Sequence, residues 1–351
     1  MHEQFLLAAL EQAKLGRGLC APNPSVGAVA VQNGTIIAQA WHRGAGTLHA
    51  EQLLLAQITP KTPGVSVYIT LEPCNHWGKT PPCVDALVNH GIEEVIFAFL
   101  DPNPIVAQNN STALLSEHGI KVTHLPLAAI DAFYQSYAYW TLTRRPRVTV
   151  KMAQTLDGKI GMPQGERLIL SNSLCADFTH KMRAESDVIV TTAKTIARDD
   201  PKMNVRLHGK TQAKPVAIID THLNLNKEAQ IFSTASHCYV YYGGQSSANP
   251  YPNSSFHPVP TLDGMLDLNA IISHLGAAGY HDVWVEAGGA LFSALHQQGL
   301  VHRTWLYLVP ESLGPEGLCA YQEKGLFARK HKVSWHPMDD NMILCLDWLE
   351  D

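Results

Sequence analysis

Two consecutive α/β domains are the fold class this sequence predicts, and three observations predict it. The chain has 351 residues, long for a single hydrophobic core. Short β-branched apolar runs alternate with helical stretches along its length. The tract Thr143-Arg144-Arg145-Pro146-Arg147 interrupts that alternation between an aromatic-rich helix and a fresh strand, which sets the expected domains at 1–145 and 146–351.

The first domain opens with a helix from Glu3 to Gly16 that puts Phe5, Leu6, Ala9, Leu10 and Ala13 on one face. Asn23-Pro24 breaks the chain before a strand over Val26–Val31, and Asn33-Gly34 is a hairpin turn into Thr35–Ala38. A helix follows from His49 to Gln57, then a buried strand over Val65–Leu71. Pro82 opens a helix over Cys83–His90, and Asp101-Pro102-Asn103-Pro104 closes a strand over Glu93–Leu100. Helix, hairpin, helix, strand, helix, strand makes an α/β sandwich on a mixed sheet. Phe133, Tyr134, Tyr137, Tyr139 and Trp140 mark the helix before the seam. In the second domain Val148–Met152, Val188–Thr192, Pro215–Asp220, Cys238–Tyr242, Asp282–Glu286 and Thr304–Val309 read as strands. Ser173–Ala184, Leu268–Ala277 and Ala290–Gln298 read as helices, and Gly243–Pro260, rich in Ser, Asn and Pro, as a surface loop.

Charge and cysteine usage narrow the function. A net charge of −5 and a pI near 6.4 argue against a surface that tracks phosphate backbones, so a small molecule is the expected substrate rather than nucleic acid. Seven scattered cysteines make a disulfide framework improbable and a reducing compartment the expected setting. The N-terminus lacks a basic segment before an apolar one, and no run approaches the roughly 18 apolar residues of a membrane span. A cytoplasmic protein that engages no membrane is expected.

The chemistry concentrates in His49-Ala50-Glu51, Thr70-Leu71-Glu72-Pro73-Cys74 and Thr80-Pro81-Pro82-Cys83. One imidazole (His49) and two thiolates (Cys74, Cys83) fill three corners of a tetrahedral zinc site, and three protein ligands rather than four mark a catalytic site with a place for water. Each ligand falls at an element terminus, where a helix N-terminus favours thiolate over thiol. Glu51 is placed to accept a proton from that water and return it to a leaving amine. This is the equipment of a hydrolytic nucleobase deaminase. Buried, inert thiols are the bland rival; a purely structural zinc site would need a fourth ligand, for which His76 is nearest. Nucleoside and nucleic-acid deaminases typically space their two cysteines by two residues. Here eight intervene, and the insertion offers His76 and Lys79 to a sugar phosphate.

Asn23-Pro24-x-Val26-Gly27, His49-Ala50-Glu51, the Thr70–Cys83 segment and Asp101-Pro102-Asn103-Pro104 resemble the deaminase half of the bifunctional riboflavin-biosynthesis deaminase/reductase family. The resemblance implies a cytidine-deaminase-like three-layer α/β/α domain. It also implies that Asn23, His42, His76 and Lys79 line a pocket for a pyrimidine ribosyl phosphate, with Asp101 and Asn103 near its ring.

The second half has no Gly-x-Gly-x-x-Gly fingerprint, so a Rossmann fold has no local support. Leu156-Asp157-Gly158-Lys159 follows a strand, and Arg198-Asp199-Asp200-Pro201 with Arg206 puts charge in an irregular segment. Glu286-Ala287-Gly288-Gly289 ends a strand and opens a helix whose free N–H groups suit an anion. Lys151-Met152-Ala153, Leu156–Ile160, Arg183-Ala184, Asp199–Arg206 and Val285–Gly288 are similar to the family's reductase half, which implies a dihydrofolate-reductase-like α/β fold and NADPH. By that resemblance Ala153, Ile169, Ser171, Thr195, Asp199, Thr221, Gly288 and Gly289 contact the cofactor. Lys151, Arg167, Arg183, Met203, Arg206 and Glu286 hold the substrate, the arginines grasping its phosphate. Where the family usually has tryptophan, serine and arginine, this chain has Ile169, Arg167 and Ala176. The alternative is therefore a deaminase joined to a weakened or inactive reductase. The resemblance also implies a homo-oligomer.

Overall fold

The computed structural model describes residues 2–77, 81–104, 110–163, 168–244, 251, 253–262, 264–321 and 324–349. The chain divides into two compact units, Met1–Arg144 and Arg145–Asp351. Among the described residues no helix is long and apolar enough to cross a membrane.

In the first unit, helix α1 (His2–Lys14) precedes the hairpin β1 (Gly27–Gln32) and β2 (Thr35–Trp41), turned at Asn33 and Gly34 with both residues at positive φ as the Asn-Gly pair demands. Then come α2 (Ala50–Leu55), β3 (Val65–Leu71), α3 (Cys83–His90), β4 (Glu94–Phe99), α4 (Ser111–Glu117), β5 (Lys121–His124) and α5 (Ala128–Thr143). The sheet runs β2-β1-β3-β4-β5; the first two pairings are antiparallel and the last two parallel. Phe5, Leu6, Ile96, Ile130 and Tyr134 pack α1 and α5 on one face. Leu54, Val67, Leu87, Val95 and Leu115 pack α2, α3 and α4 on the other, giving three α/β/α layers. Gly27 lets α1 lie directly on β1: a Cβ there would stand 2.0 Å from the Ala9 carbonyl oxygen.

The second unit is built on a nine-stranded sheet. Its strands are β6 (Arg147–Thr155), β7 (Val188–Thr192), β10 (Pro215–Ile219), β11 (His237–Tyr242), β12 (Ser254–Pro258), β15 (Asp282–Glu286), β16 (Arg303–Val309), β17 (His331–Met338) and β18 (Asn341–Trp348). Two small hairpins, β8–β9 (Val205–Leu207, Lys210–Gln212) and β13–β14 (Thr261–Leu262, Met265–Leu266), stand apart. The order is β12-β11-β10-β7-β15-β6-β16-β18-β17, parallel through β16 and closed by an antiparallel hairpin. Helices α6 (Ser173–Glu185), α7 (Ala193–Asp199), α8 (Ile231–Thr234), α9 (Leu268–Ala277) and α10 (Gly289–Gln297) complete it.

Four strands of the two large sheets depart from the sequence expectation. Gly243–Pro260 is not all loop, because Ser254–Pro258 pairs in parallel with β11; β5 and the β17–β18 hairpin were likewise not foreseen. β5, β12 and β17 lie at sheet edges, where backbone pairing suffices and no alternation of buried apolar side chains is imposed on the sequence.

Candidate active site

His49 stands immediately before α2, Cys74 three residues past β3, and Cys83 opens α3. The His49 Nδ1 atom lies 3.2 Å from Cys83 Sγ and 3.5 Å from Cys74 Sγ, and the three ligand atoms all fall within 4.8 Å of one another. A tetrahedral zinc with bonds of about 2.0–2.3 Å has ligand–ligand edges of about 3.5 Å, so the donor set and its spacing fit that ion. The Gln52 side chain accepts from the His49 N–H at 3.3 Å, and the Cys83 N–H points at Cys74 Sγ at 3.4 Å. Helix capping and ligand placement are thus one structure.

Hydrogen bonding from Cys83, and then from His49, outweighs burial and pulls the Cys74 thiol down to about 4. Cys83 is pushed up by its hydrogen bond to that sulfur and by burial. His49 is raised, chiefly by its bond to Cys74. Glu51, only 4% exposed, sits in the first turn of α2, and burial raises its carboxyl above the usual range, with the Cys74 charge adding to the effect.

Around this cluster the fold gathers most of the expected pocket. The His42 ring meets the His49 ring edge-on at 5.4 Å; its Nδ1 pairs with the Leu48 carbonyl at 3.1 Å and its Nε2 with Asn23 Nδ2 at 3.1 Å. Donating Nδ1–H to that carbonyl leaves Nε2 as the acceptor, and burial lowers the pKa, so His42 is a neutral ring of fixed tautomer. Asp101 is buried, with Oδ1 accepting from the Asn103 N–H at 2.9 Å and from the Tyr137 hydroxyl at 3.0 Å. Glu72 accepts from the Asp101 N–H at 3.4 Å. His76 lies near Asp101; its Nδ1 is buried with no hydrogen-bond partner among the described residues, and it is not among the three clustered ligands. Lys79 lies outside the described residues. Sequence reasoning missed Glu72 and Tyr137, although Tyr134 and Tyr137, three apart on the aromatic helix, were the available signal.

In the second unit Ala153, Thr195, Thr221 and Gly288 lie at or just past the C-terminal ends of β6, β7, β10 and β15. Those strands are contiguous in the sheet, so the four positions share the edge at which open parallel sheets take ligands. Thr192 caps α7 by accepting from the Thr195 N–H at 3.2 Å, and Asp199 ends that helix. At Gly289 a Cβ would stand 2.6 Å from the Ala320 carbonyl oxygen, whereas Gly288 faces open space. Ser171 lies just before α6, Ile169 is 77% exposed, and Arg167 lies outside the described residues.

Arg183 is buried, and its guanidinium binds Glu286 through two nitrogens at 2.6 and 2.8 Å, the Asn204 carbonyl at 2.9 Å and Met203 Sδ at 3.5 Å. Trp284 Nε1 donates to Glu286 Oε1 at 2.7 Å. Burial alone would raise Glu286, but Arg183 prevails and holds it at about 2. The Arg206 side chain reaches Asn204 Oδ1 at 2.6 Å, and its backbone N–H donates to His180 Nδ1 at 3.2 Å. Lys151 pairs in register with Glu286. Asn204, His180 and Trp284 carried no local motif and were not singled out from sequence.

Comparison with known proteins gives a consistent pattern. A model of the cytidine and deoxycytidylate deaminase zinc-binding region matches residues 1–99, and one of the RibD C-terminal domain matches 146–344. The riboflavin biosynthesis protein RibD of Escherichia coli is 34% identical over 332 residues, covering 90% of each chain. That of Haemophilus influenzae is 33% identical over 330 residues, covering 90% of this chain and 88% of its own. Among solved structures, Acinetobacter baumannii RibD superposes with a TM-score of 0.86 at 28% identity. A diaminohydroxyphosphoribosylaminopyrimidine deaminase/5-amino-6-(5-phosphoribosylamino)uracil reductase from Thermotoga maritima does so at 0.87 and 27%, and both cover 99% of each chain.

Proposed function

Because this chain belongs to the RibD family of bifunctional riboflavin-biosynthesis enzymes, with a zinc-binding deaminase region and a reductase domain in one polypeptide, we propose that it performs both steps with the residues assembled above. The first is hydrolytic deamination of a diaminohydroxyphosphoribosylaminopyrimidine; the second is reduction of the ribosyl group of 5-amino-6-(5-phosphoribosylamino)uracil to ribityl. The observation that carries the reading is the triad His49, Cys74 and Cys83 within 4.8 Å, next to the buried Glu51.

His49, Cys74 and Cys83 hold the zinc, which when bound supplies the Lewis acidity that makes water a nucleophile near neutral pH. Water adds to the amine-bearing ring carbon, the C–N bond breaks and ammonia leaves. Glu51 takes the proton from the attacking water and delivers it to the departing amine. Asn23, steadied by His42, holds the ring together with Asp101 and Asn103, and His76 and Lys79 hold the ribosyl phosphate.

In the second unit Ala153, Ile169, Ser171, Thr195, Asp199, Thr221 and the Gly288-Gly289 turn would hold NADPH, which would supply the hydride for reduction at the ribosyl C1′ of the opened sugar. Lys151 and Glu286 orient the substrate, and Arg206 is the guanidinium offered to its phosphate, with Arg167, Arg183 and Met203 assigned to the same substrate site by family resemblance. A deaminase with an inert second unit is not favoured, because the RibD C-terminal domain match spans 146–344 despite Ile169, Arg167 and Ala176. The enzyme works in the cytoplasm as a homo-oligomer.

Glu51→Gln tests the first half. The variant is expected to keep its zinc by elemental analysis, to lose roughly 10²–10⁴-fold in ammonia release, and to oxidise NADPH normally on the deaminated substrate. Undiminished ammonia release would refute the role of Glu51.

A further inference from the structure

On one face of the second sheet, Lys151, Glu286 and Tyr307 stand on the neighbouring strands β6, β15 and β16. Register sets Lys151 opposite Glu286 on one side and opposite Trp305 on the other, with Tyr307 paired to Ala153. The Lys151 ammonium lies over the Tyr307 ring, 4.8 Å from its centroid. That ring is wholly buried and held fast. Its hydroxyl is 3.0 Å from Thr179 Oγ1 on α6, and the Phe178 ring meets it edge-on at 6.2 Å.

A lysine has four rotatable bonds, and Glu286, opposite it on β15, is also bound by Arg183 and Trp284. A rigid aromatic face attracts the ammonium as a charge and needs no acceptor atom to do so. Such a platform restricts where the ammonium sits without being a hydrogen-bond acceptor for it. We propose that Tyr307 is a positioning residue for the reduction: its ring face holds the Lys151 ammonium beside Ala153, where substrate and cofactor meet. The inference rests on the reading of Lys151 as a substrate-orienting group.

The test uses the full-length, zinc-loaded enzyme, with NADPH oxidation followed on the deaminated pyrimidine ribosyl phosphate. Tyr307→Phe keeps the ring and is expected to retain at least half of the reductase kcat/KM. Tyr307→Leu removes the ring and lowers it about tenfold, with the KM for NADPH and the ammonia release of the first unit unchanged. In a Lys151→Met background the leucine costs less than a further twofold, because nothing is left to position. Should leucine impair folding, phenylalanine carrying successive ring fluorines at position 307 preserves volume while stripping the ring face of negative charge, and kcat/KM falls stepwise. A flat response across that series, or equal leucine losses in both backgrounds, overturns the proposal and leaves the role of Lys151 standing. Native reductase activity in Lys151→Met sinks the substrate-orienting reading, and this inference with it.

Discussion

Asp101 shows how a single buried carboxyl is kept usable. Burial raises its pKa, and two donors from separate elements, the Asn103 N–H and the Tyr137 hydroxyl, draw it back toward ionisation. Tyr137→Phe leaves that carboxylate one donor short and should cost about 1–3 kcal/mol of first-unit stability near neutral pH, read as a shift in denaturant midpoint. The donor stabilises only the charged form, so the deficit should shrink as pH falls through the range where Asp101 is protonated in both proteins. A deficit independent of pH would mean that the hydroxyl matters only for packing. The asymmetry in what the sequence disclosed has a physical source. His49, Glu51, Cys74 and Cys83 were legible because metal chemistry restricts each position to one or two residue types at element termini. Tyr137 was visible only as one ring on an aromatic helix; its meeting with Asp101, 36 residues away, depends on how α5 packs on β4.

At the scale of elements, the joint between α6 and β15 is an ion pair. Arg183 comes from the helix and Glu286 from the strand end, with side chains only 10% and 13% exposed. Sequence resemblance assigned Arg183 to the substrate phosphate; the structure commits most of its guanidinium to Glu286, Asn204 and Met203. Arg183→Met should therefore destabilise the second unit by about 3–5 kcal/mol, because it strands a buried carboxylate. The sign with pH follows from Glu286. Its folded pKa of about 2 lies below the ordinary 4.5, so the pair's contribution is present above pH 4.5 and fades as pH falls toward 2. The gap between variant and native melting temperatures should narrow over that interval, and a constant gap would assign the loss to packing. The central strands were legible because burial on both faces forces continuous apolar runs, as in Val188–Thr192 and Asp282–Glu286. Ser254–Pro258 and His331–Met338 were not, because an edge strand answers to backbone pairing alone.

For the whole molecule, the residues proposed for the two chemistries form separate sets: the candidate zinc ligands His49, Cys74 and Cys83 and the proposed proton carrier Glu51 fall within Met1–Arg144, while Lys151, Glu286 and the proposed cofactor edge fall within Arg145–Asp351. The second reaction consumes what the first produces, and the only species they must share is a small, charged, water-soluble pyrimidine. Metal removal and single-site variants should therefore dissect the enzyme cleanly. Stripping zinc with a chelator should abolish ammonia release and leave NADPH oxidation on the deaminated substrate intact, and Lys151→Met should sharply lower NADPH oxidation while leaving ammonia release intact. If the intermediate is released to solvent, an equimolar mixture of Glu51→Gln and Lys151→Met enzymes regains the complete sequence after a lag. That lag is set by the build-up of deaminated pyrimidine and shortens as the Lys151→Met share rises. Ammonia and NADPH followed in one cuvette would read both steps. A mixture that releases ammonia but never consumes NADPH would show that the intermediate reaches the second site only within the assembly that made it, and that the two halves were joined for more than convenience of synthesis.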